Sequence, residues 1–364
     1  MIHKIPSEET LEERFFSSFP PPGLLDIKAT GVDISDSSIK ILGLKQTGKG
    51  KVPDFFEERK IAPGIVREGG IEDAQSLATI LTALRRKHAM NFVRVALPEE
   101  KAYLFQTSVP KTSDTDQLYT SIEFKLEEHV PIPPSESVFD YDIIQEKNNM
   151  IDVSVTVFPK SVIENYQKVF TSAGLTPVSF TLEGQAIANA VVSKKDTNTY
   201  MIVDFGRTRS GIAIVRNGIV SFSSTVDVGG DELTEAIMKY FKVDEVEAQK
   251  IKNEKGFINN KENEELYTSL MSTLSALKDE INRHFMYWNE KDSNQNKENK
   301  IQKIILCGGN ASLVGLPEFL SAGIKAPVEK AQVWQNAFSY DDYIPEIPYE
   351  VSLSYATVVG LALS

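Results

Sequence analysis

Two carboxylates, Asp33 and Asp204, stand in matching surroundings that suit the binding of an anion together with a metal ion. Around Asp204 the chain reads YMIVDFGRTRSGIAIVRNGIV over residues 200–220: an apolar run, a short polar tip, then a second apolar run and a turn into a third. Gly206, Thr208, Ser210 and Gly211 leave backbone N–H groups and hydroxyls able to approach an anion, and Asp204 is placed to hold a metal ion or a water. Around Asp33, GVDISDSSIKILGL repeats the design, with Ser35, Ser37 and Ser38 at the tip and Ile39, Ile41 and Leu42 leading away. The two aspartates lie 171 residues apart, about a domain's length, which suggests two similar halves that each offer a hairpin to a shared cleft. The plainer alternative is a pair of ordinary hairpins with polar tips.

Positioning such tips takes strands and covering helices, and the chain supplies both. After the first hairpin come an extended run over 55–61, a helix over 73–88 and a strand over 92–97 that Pro98 ends, an α/β mixture. Residues 99–175 form a separate block, with strands at 102–109, 138–145 and 150–157, helices at 115–128 and 160–173, and a proline-rich spacer at 130–134. LEGQAIANAVV, ending at Val192, then reads as a helix of small residues suited to close packing, and SYATVVGLAL at 354–363 echoes it. Between them, VGGDEL starts a helix with two glycines, helices run over 232–240, 244–253 and 263–287, and NEKDSNQNKENK (289–300) reads as a mobile loop. A buried strand, KIILCGGN, enters a glycine turn, followed by a helix over 313–320. At the N-terminus Ser7 can cap a short helix with Leu11, Phe15 and Phe16 on one face; its glutamates favour docking on protein over lipid.

With 364 residues, 41% of them hydrophobic, the chain can bury more than one core. A net charge of −12 argues against nucleic-acid binding. The single cysteine, Cys307, excludes an internal disulfide and fits a reducing compartment, so the expected location is cytoplasmic. No stretch is apolar for long enough to span a membrane, so any membrane contact is expected through a partner or the N-terminal segment. His3, His88, His129 and His284 show no metal-ligand spacing.

Taken in order, these stretches resemble the actin-like ATPase superfamily, and within it the PilM group of type IV pilus assembly proteins, with the FtsA cell-division proteins as a close comparison. GVDISDSSIKIL resembles the first phosphate loop, LEGQAIANAVV the first connecting helix, VDFGRTRSGIAIV the second phosphate loop, LCGGNASLVGLPEFL the adenosine loop and SYATVVGLAL the second connecting helix. The resemblance covers about residues 24–364. It implies an α/β fold with duplicated, ribonuclease H-like lobes and an inserted FtsA/PilM-type subdomain. The implied division is an appendage at 1–23, a first lobe at 24–98 and 176–199, the inserted partner-binding subdomain at 99–175, a second lobe at 200–227 and 301–364, and a helical subdomain at 228–300.

The resemblance further implies ATP and Mg²⁺ as ligands. Ser35, Ser37, Ser38, Thr208, Arg209, Ser210 and the Gly206 backbone would meet phosphates, with Lys40 as counter-charge, and Asp33 and Asp204 would orient Mg²⁺ through its waters. Gly229, Gly230, Gly308, Gly309 and Asn310 would let the backbone reach ribose and adenine, and Lys252 lies where the family places a base-edge contact. Glu183 is the candidate for positioning a catalytic water, with a helix-cap or interlobe role as the alternative. The chain departs from the family pattern at Ser35 (usually Gly), at Arg207 and Arg209 (usually small and polar) and at Gln249 (usually Glu), which puts hydrolysis in more doubt than binding. The implied function is a cytoplasmic ATP-binding protein of the pilus, or a related type II secretion, inner-membrane platform. Its partners would be the tail of a PilN-like membrane protein, other platform and motor proteins, and further copies of itself in an oligomer. The alternatives are a sugar or acetate kinase of the same superfamily and an FtsA-like division protein.

Overall fold

A computed structural model describes residues 27–112, 114–291 and 300–364; the helix expected within 1–23 and most of the polar stretch 289–300 lie outside the described residues. Two five-stranded sheets of the same design form its frame. In the first, β1 (Ala29–Ile34), β2 (Ser38–Thr47) and β3 (Gly50–Lys60) make an antiparallel meander. A two-residue ribbon, β4 (Val66–Arg67) with β5 (Gly70–Ile71), follows, and then β6 (Phe92–Leu97) lies parallel to β1. The inserted block contributes β7 (Tyr103–Pro110), β8 (Ser137–Lys147) and β9 (Met150–Pro159) in a separate sheet of order β7-β9-β8. The chain returns as β10 (Thr176–Leu182), parallel to β6.

The second sheet repeats this plan. Its meander is β11 (Thr199–Phe205), β12 (Ser210–Arg216) and β13 (Ile219–Val226), with β14 (Ile301–Cys307) and β15 (Val328–Lys330) added in parallel beside β11. The central strands β1 and β11 are buried on both faces because helices cover them on both sides, which is why they read as continuous apolar runs.

Helix Ala74–His88 shows how local signals set the elements: the Asp73 carboxylate accepts the Ser76 N–H at 3.0 Å, and Leu77, Leu81 and Leu84 point into the core. The inserted sheet and helix Thr115–His129 have their own core, in which Leu118, Ile122 and Leu126 meet Val153, Val155 and Val157. Several elements differ from the sequence reading, among them β3, which begins at Gly50 rather than at 55. Thr176–Leu182 is a strand. Gly315, in the left-handed region at φ 85°, delays the helix expected at 313 to Leu316, and helix Glu264–Lys291 continues past its expected end at 287. Among the described residues no helix is long and apolar enough to cross a membrane.

Helices Glu183–Val191 and Ala356–Leu363 cross in contact, and Gly360 is what allows it: a Cβ there would fall on the Ala186 carbonyl. Gly31 on β1 likewise leaves room for the Val358 carbonyl. Gly360→Val should therefore cost about 3 kcal/mol or more by overpacking, read as a lower thermal midpoint; an unchanged midpoint would mean that the helices do not meet there. On the opposite side, Glu57 of β3 takes hydrogen bonds of 2.7 Å from each of Arg59, Lys87 and His88, tying the meander to helix Ala74–His88. Burial pushes the Glu57 carboxyl up, but the hydrogen bonds from His88, Lys87 and Arg59 outweigh it and hold it at about 2, below its ordinary 4.5. Stability from this cluster is thus complete above pH 4.5 and is lost as pH falls toward 2. Glu57→Gln should lower the urea midpoint near neutrality and flatten its decline over that acid window; curves that overlay the parent's would contradict the assignment.

Candidate functional site

Parallel strands β1, β6, β10, β11 and β14 all point their C-terminal ends the same way, into the crevice between the two sheets, and the segments that follow them line one cleft. Those segments are the two hairpin tips, the turn Glu99–Lys101, the start of helix Glu183–Val191 and the glycine turn at Gly308.

At the first tip Asp33 sits opposite Lys40 in the β1–β2 register. Ser35 and Ser38 close the turn on each other: the Ser35 N–H donates to the Ser38 carbonyl at 2.9 Å, and the Ser38 N–H donates to the Ser35 hydroxyl at 3.1 Å. At the second tip Asp204 is opposite Gly211, and Gly206–Arg209 forms the bend. Asn310 braces that bend, its side-chain N–H donating to the Gly206 carbonyl at 2.7 Å. Gly308, at φ 88°, lets the third segment press against Asp204 so closely that a Cβ would meet its carboxylate and the Phe205 carbonyl.

The cleft brings together Asp33, Ser35, Ser37, Ser38, Lys40, Glu183, Asp204, Gly206, Thr208, Arg209, Gly308, Gly309 and Asn310. Four residues named from the sequence do not line it. Ser210 is buried and its hydroxyl donates to the Val228 carbonyl at 2.5 Å, because strand alternation turns it away while Gly211 faces the cleft. Gly229 and Gly230 pack against the second tip and Asn310, and the Gly230 and Asp231 N–H groups are spent on the Gly206 and Arg207 carbonyls. Lys252 is buried behind the tip, where its ammonium donates to Asn310 Oδ1 at 3.0 Å, Thr234 Oγ1 at 3.1 Å and the Gly230 carbonyl at 3.3 Å. Sequence reasoning missed Asp36, Glu58, Lys60, Glu99 and Glu100 as lining residues. For the glutamates after Pro98 the sequence offered only their place at the end of an apolar run that a proline closes.

Carboxyl groups outnumber cations here. Burial raises Asp33, with Lys40 opposing and Glu58 adding to the rise. Burial and the Asp33 charge lift Asp204 to about 6 against Lys40 and a hydrogen bond with Glu183. Glu183 is held well above its ordinary value by burial and by Asp33, Asp204, Glu99 and Glu100. Glu99 rises to about 8 through burial and Glu100, although it accepts the Gly184 N–H at 3.1 Å. Beneath them, burial and the same carboxylates push the Cys307 thiol well up. Such a cleft suits a ligand that carries its own divalent cation. Among the described residues no group of three or more His, Cys, Asp or Glu is arranged to cage a metal. The donors able to meet phosphates are Thr208, Lys40, Arg209 and the remaining tip amides, whereas the Ser35, Ser38 and Gly206 N–H groups are taken up within their own turns. Arg207 also borders the cleft, but its guanidinium is paired with Asp231 at 2.8 Å and Glu245 at 3.1 Å.

The family model for the type IV pilus assembly protein PilM matches residues 31–364. The chain belongs to the PilM family. A chain of a solved PilM-PilN type IV pilus biogenesis complex is similar at TM-score 0.74 and 20% identity, over 93% of this chain and 98% of that one. MreB5 of Spiroplasma citri, solved bound to ADP, is similar at TM-score 0.53 and 14% identity, over 90% and 94% of the two chains. The cell division protein FtsA of Streptococcus pneumoniae is 24% identical over 251 residues, 61% of this chain and 54% of that protein, so this PilM-family chain spans about half the length of that relative. The fold of these structures is the actin-like one, with duplicated α/β lobes.

Lys252 yields a prediction. Lys252→Met removes the donor shared by Asn310, Thr234 and Gly230, and should cost about 1–3 kcal/mol of stability, measured by denaturant titration. A variant as stable as the parent would show that the ammonium does not support the loop.

Proposed function

We propose that this PilM-family chain binds ATP with Mg²⁺ in the cleft and serves as a cytoplasmic component of the type IV pilus assembly platform, docking the N-terminal tail of a PilN-like membrane protein. One observation carries the nucleotide reading: two polar hairpin tips from separate sheets, with Asp33 and Asp204 at their roots, line a single cleft. The magnesium ion would screen the phosphate charges and polarise the terminal phosphoryl group. Asp33 and Asp204 would orient its water shell, Thr208, Lys40 and the remaining tip amides would hold the phosphates, and Gly308, Gly309 and Asn310 would border the nucleoside. Glu183, hydrogen-bonded to Asp204, would hold a water near the terminal phosphate.

The partner reading is supported by likeness to the PilM-PilN complex and by the inserted sheet, whose outer strands β7 and β8 are edges able to take an added strand. Calorimetric titration with ATP and Mg²⁺ should give binding heat for the parent and affinity weaker by about tenfold or more for Asp204→Ala. EDTA should abolish the parent's signal. Equal binding by parent and variant, or none by either, would overturn the nucleotide reading. A synthetic PilN-type tail should bind the purified chain; no binding would remove the partner claim alone.

A further inference from the structure

Arg209 links the two sides of the cleft. It belongs to the second tip, yet its guanidinium reaches across the cleft to two carboxylates of the other side, Asp36 Oδ2 at 2.8 Å and Glu100 Oε1 at 3.0 Å. All three side chains are largely covered, at 16%, 19% and 22% exposure. The two carboxylates are held differently. Asp36 also accepts the Glu68 and Gly69 N–H groups at 3.2 and 3.3 Å, so it is fixed to the loop between β4 and β5. That loop is anchored in turn, since the buried Tyr166 hydroxyl donates to the Gly69 carbonyl at 3.0 Å. Glu100 sits in the turn Glu99–Lys101, which leads straight into β7 of the inserted sheet.

We infer that Arg209 is a latch whose guanidinium is shared between the ligand's phosphates and Glu100, so that phosphate binding loosens the turn that feeds β7. This rests on the proposed nucleotide site and adds its regulation. A guanidinium presents a planar fork with a limited number of N–H edges. Here each Nη spends one N–H on a carboxylate, and a phosphate drawn to the remaining N–H groups shares the guanidinium's charge and sets its own negative charge against both carboxylates. Asp36 keeps its place through its backbone donors, and the Glu100 pair yields. The consequence reaches the second lobe as well. The inserted sheet is covalently joined to the first lobe but hydrogen-bonded to β13 of the second, through Gln106 to the Ser221 carbonyl at 3.3 Å and Ser154 to the Val220 carbonyl at 2.7 Å. A change at the root of β7 therefore alters how that sheet is seated between the lobes. Such coupling is reciprocal: a ligand on β7 would change phosphate affinity by the same factor.

Amide hydrogen exchange on the full chain tests this, with Mg·ATP as probe and calorimetry run in parallel. In the parent, Mg·ATP should slow exchange at the tips, 35–38 and 206–209, and speed it about threefold over 103–110. Before nucleotide is added, Glu100→Gln should already show the faster exchange over 103–110, and Mg·ATP should add little to it. Arg209→Lys, which keeps the charge but not the fork, should behave the same way and also speed exchange of the Glu68 and Gly69 amides. Mg·ATP that binds with no change over 103–110, or the parent's full response in Glu100→Gln, overturns the latch and leaves the nucleotide site standing. No binding by calorimetry and no tip protection overturns both. If Arg209→Lys loses its native circular dichroism, Glu100→Gln decides alone.

Discussion

The approach of two helices whose facing residues have almost no side chain is the constraint on which the rest of this molecule depends. With hydrogen at Gly360 and a methyl at Ala186, Glu183–Val191 and Ala356–Leu363 cross at backbone distance, and each is buried in the interface it creates. Their separation sets that of the two sheets, and hence whether hairpin tips built on different sheets can face one cleft. Larger residues would have given a more conventional core and a wider crevice. The same crossing delivers Glu183, the first residue of its helix, next to Asp204.

Against that tight frame the cleft is electrostatically unfavourable by itself. Four carboxyl groups, those of Asp33, Glu99, Glu183 and Asp204, are raised by burial and by neighbouring carboxylates, so the charged forms cost folding free energy that the continuous hydrophobic core offsets. On the proposed reading, a cation-bearing phosphate ligand would offset that cost on binding. This conflict between local stability and charge, concentrated where five strand ends meet, is what makes the cleft the candidate site.

Much of this was legible in the sequence, for reasons that differ by element. The hairpin tips stood out because a polar cluster between two apolar runs has few other uses, and helix Ala74–His88 because Asp73, Ser76 and the leucine spacing act within one turn of each other. Strand Thr176–Leu182 was hidden by Pro177 and by the irregular register between Pro177 and Ser179, which break the alternation a strand should show. The turned-away hydroxyl of Ser210 and the buried seat of Lys252 depend on pairing register and on loop packing, neither of which a linear reading contains. Glu99 and Glu100 were passed over for a related reason: only the parallel pairing of β6 with β1 shows that the end of that strand opens onto the cleft.

Cys307 gives the protein a reporter of its own. The thiol ends β14, fully covered and directly beneath the carboxyl cluster, and it is the only one in the chain. Covered and held protonated, it is inert toward alkylating reagents while the native packing holds, because only an exposed thiolate attacks. Its labelling rate therefore reports how often the structure around the cleft opens, with no foreign probe attached.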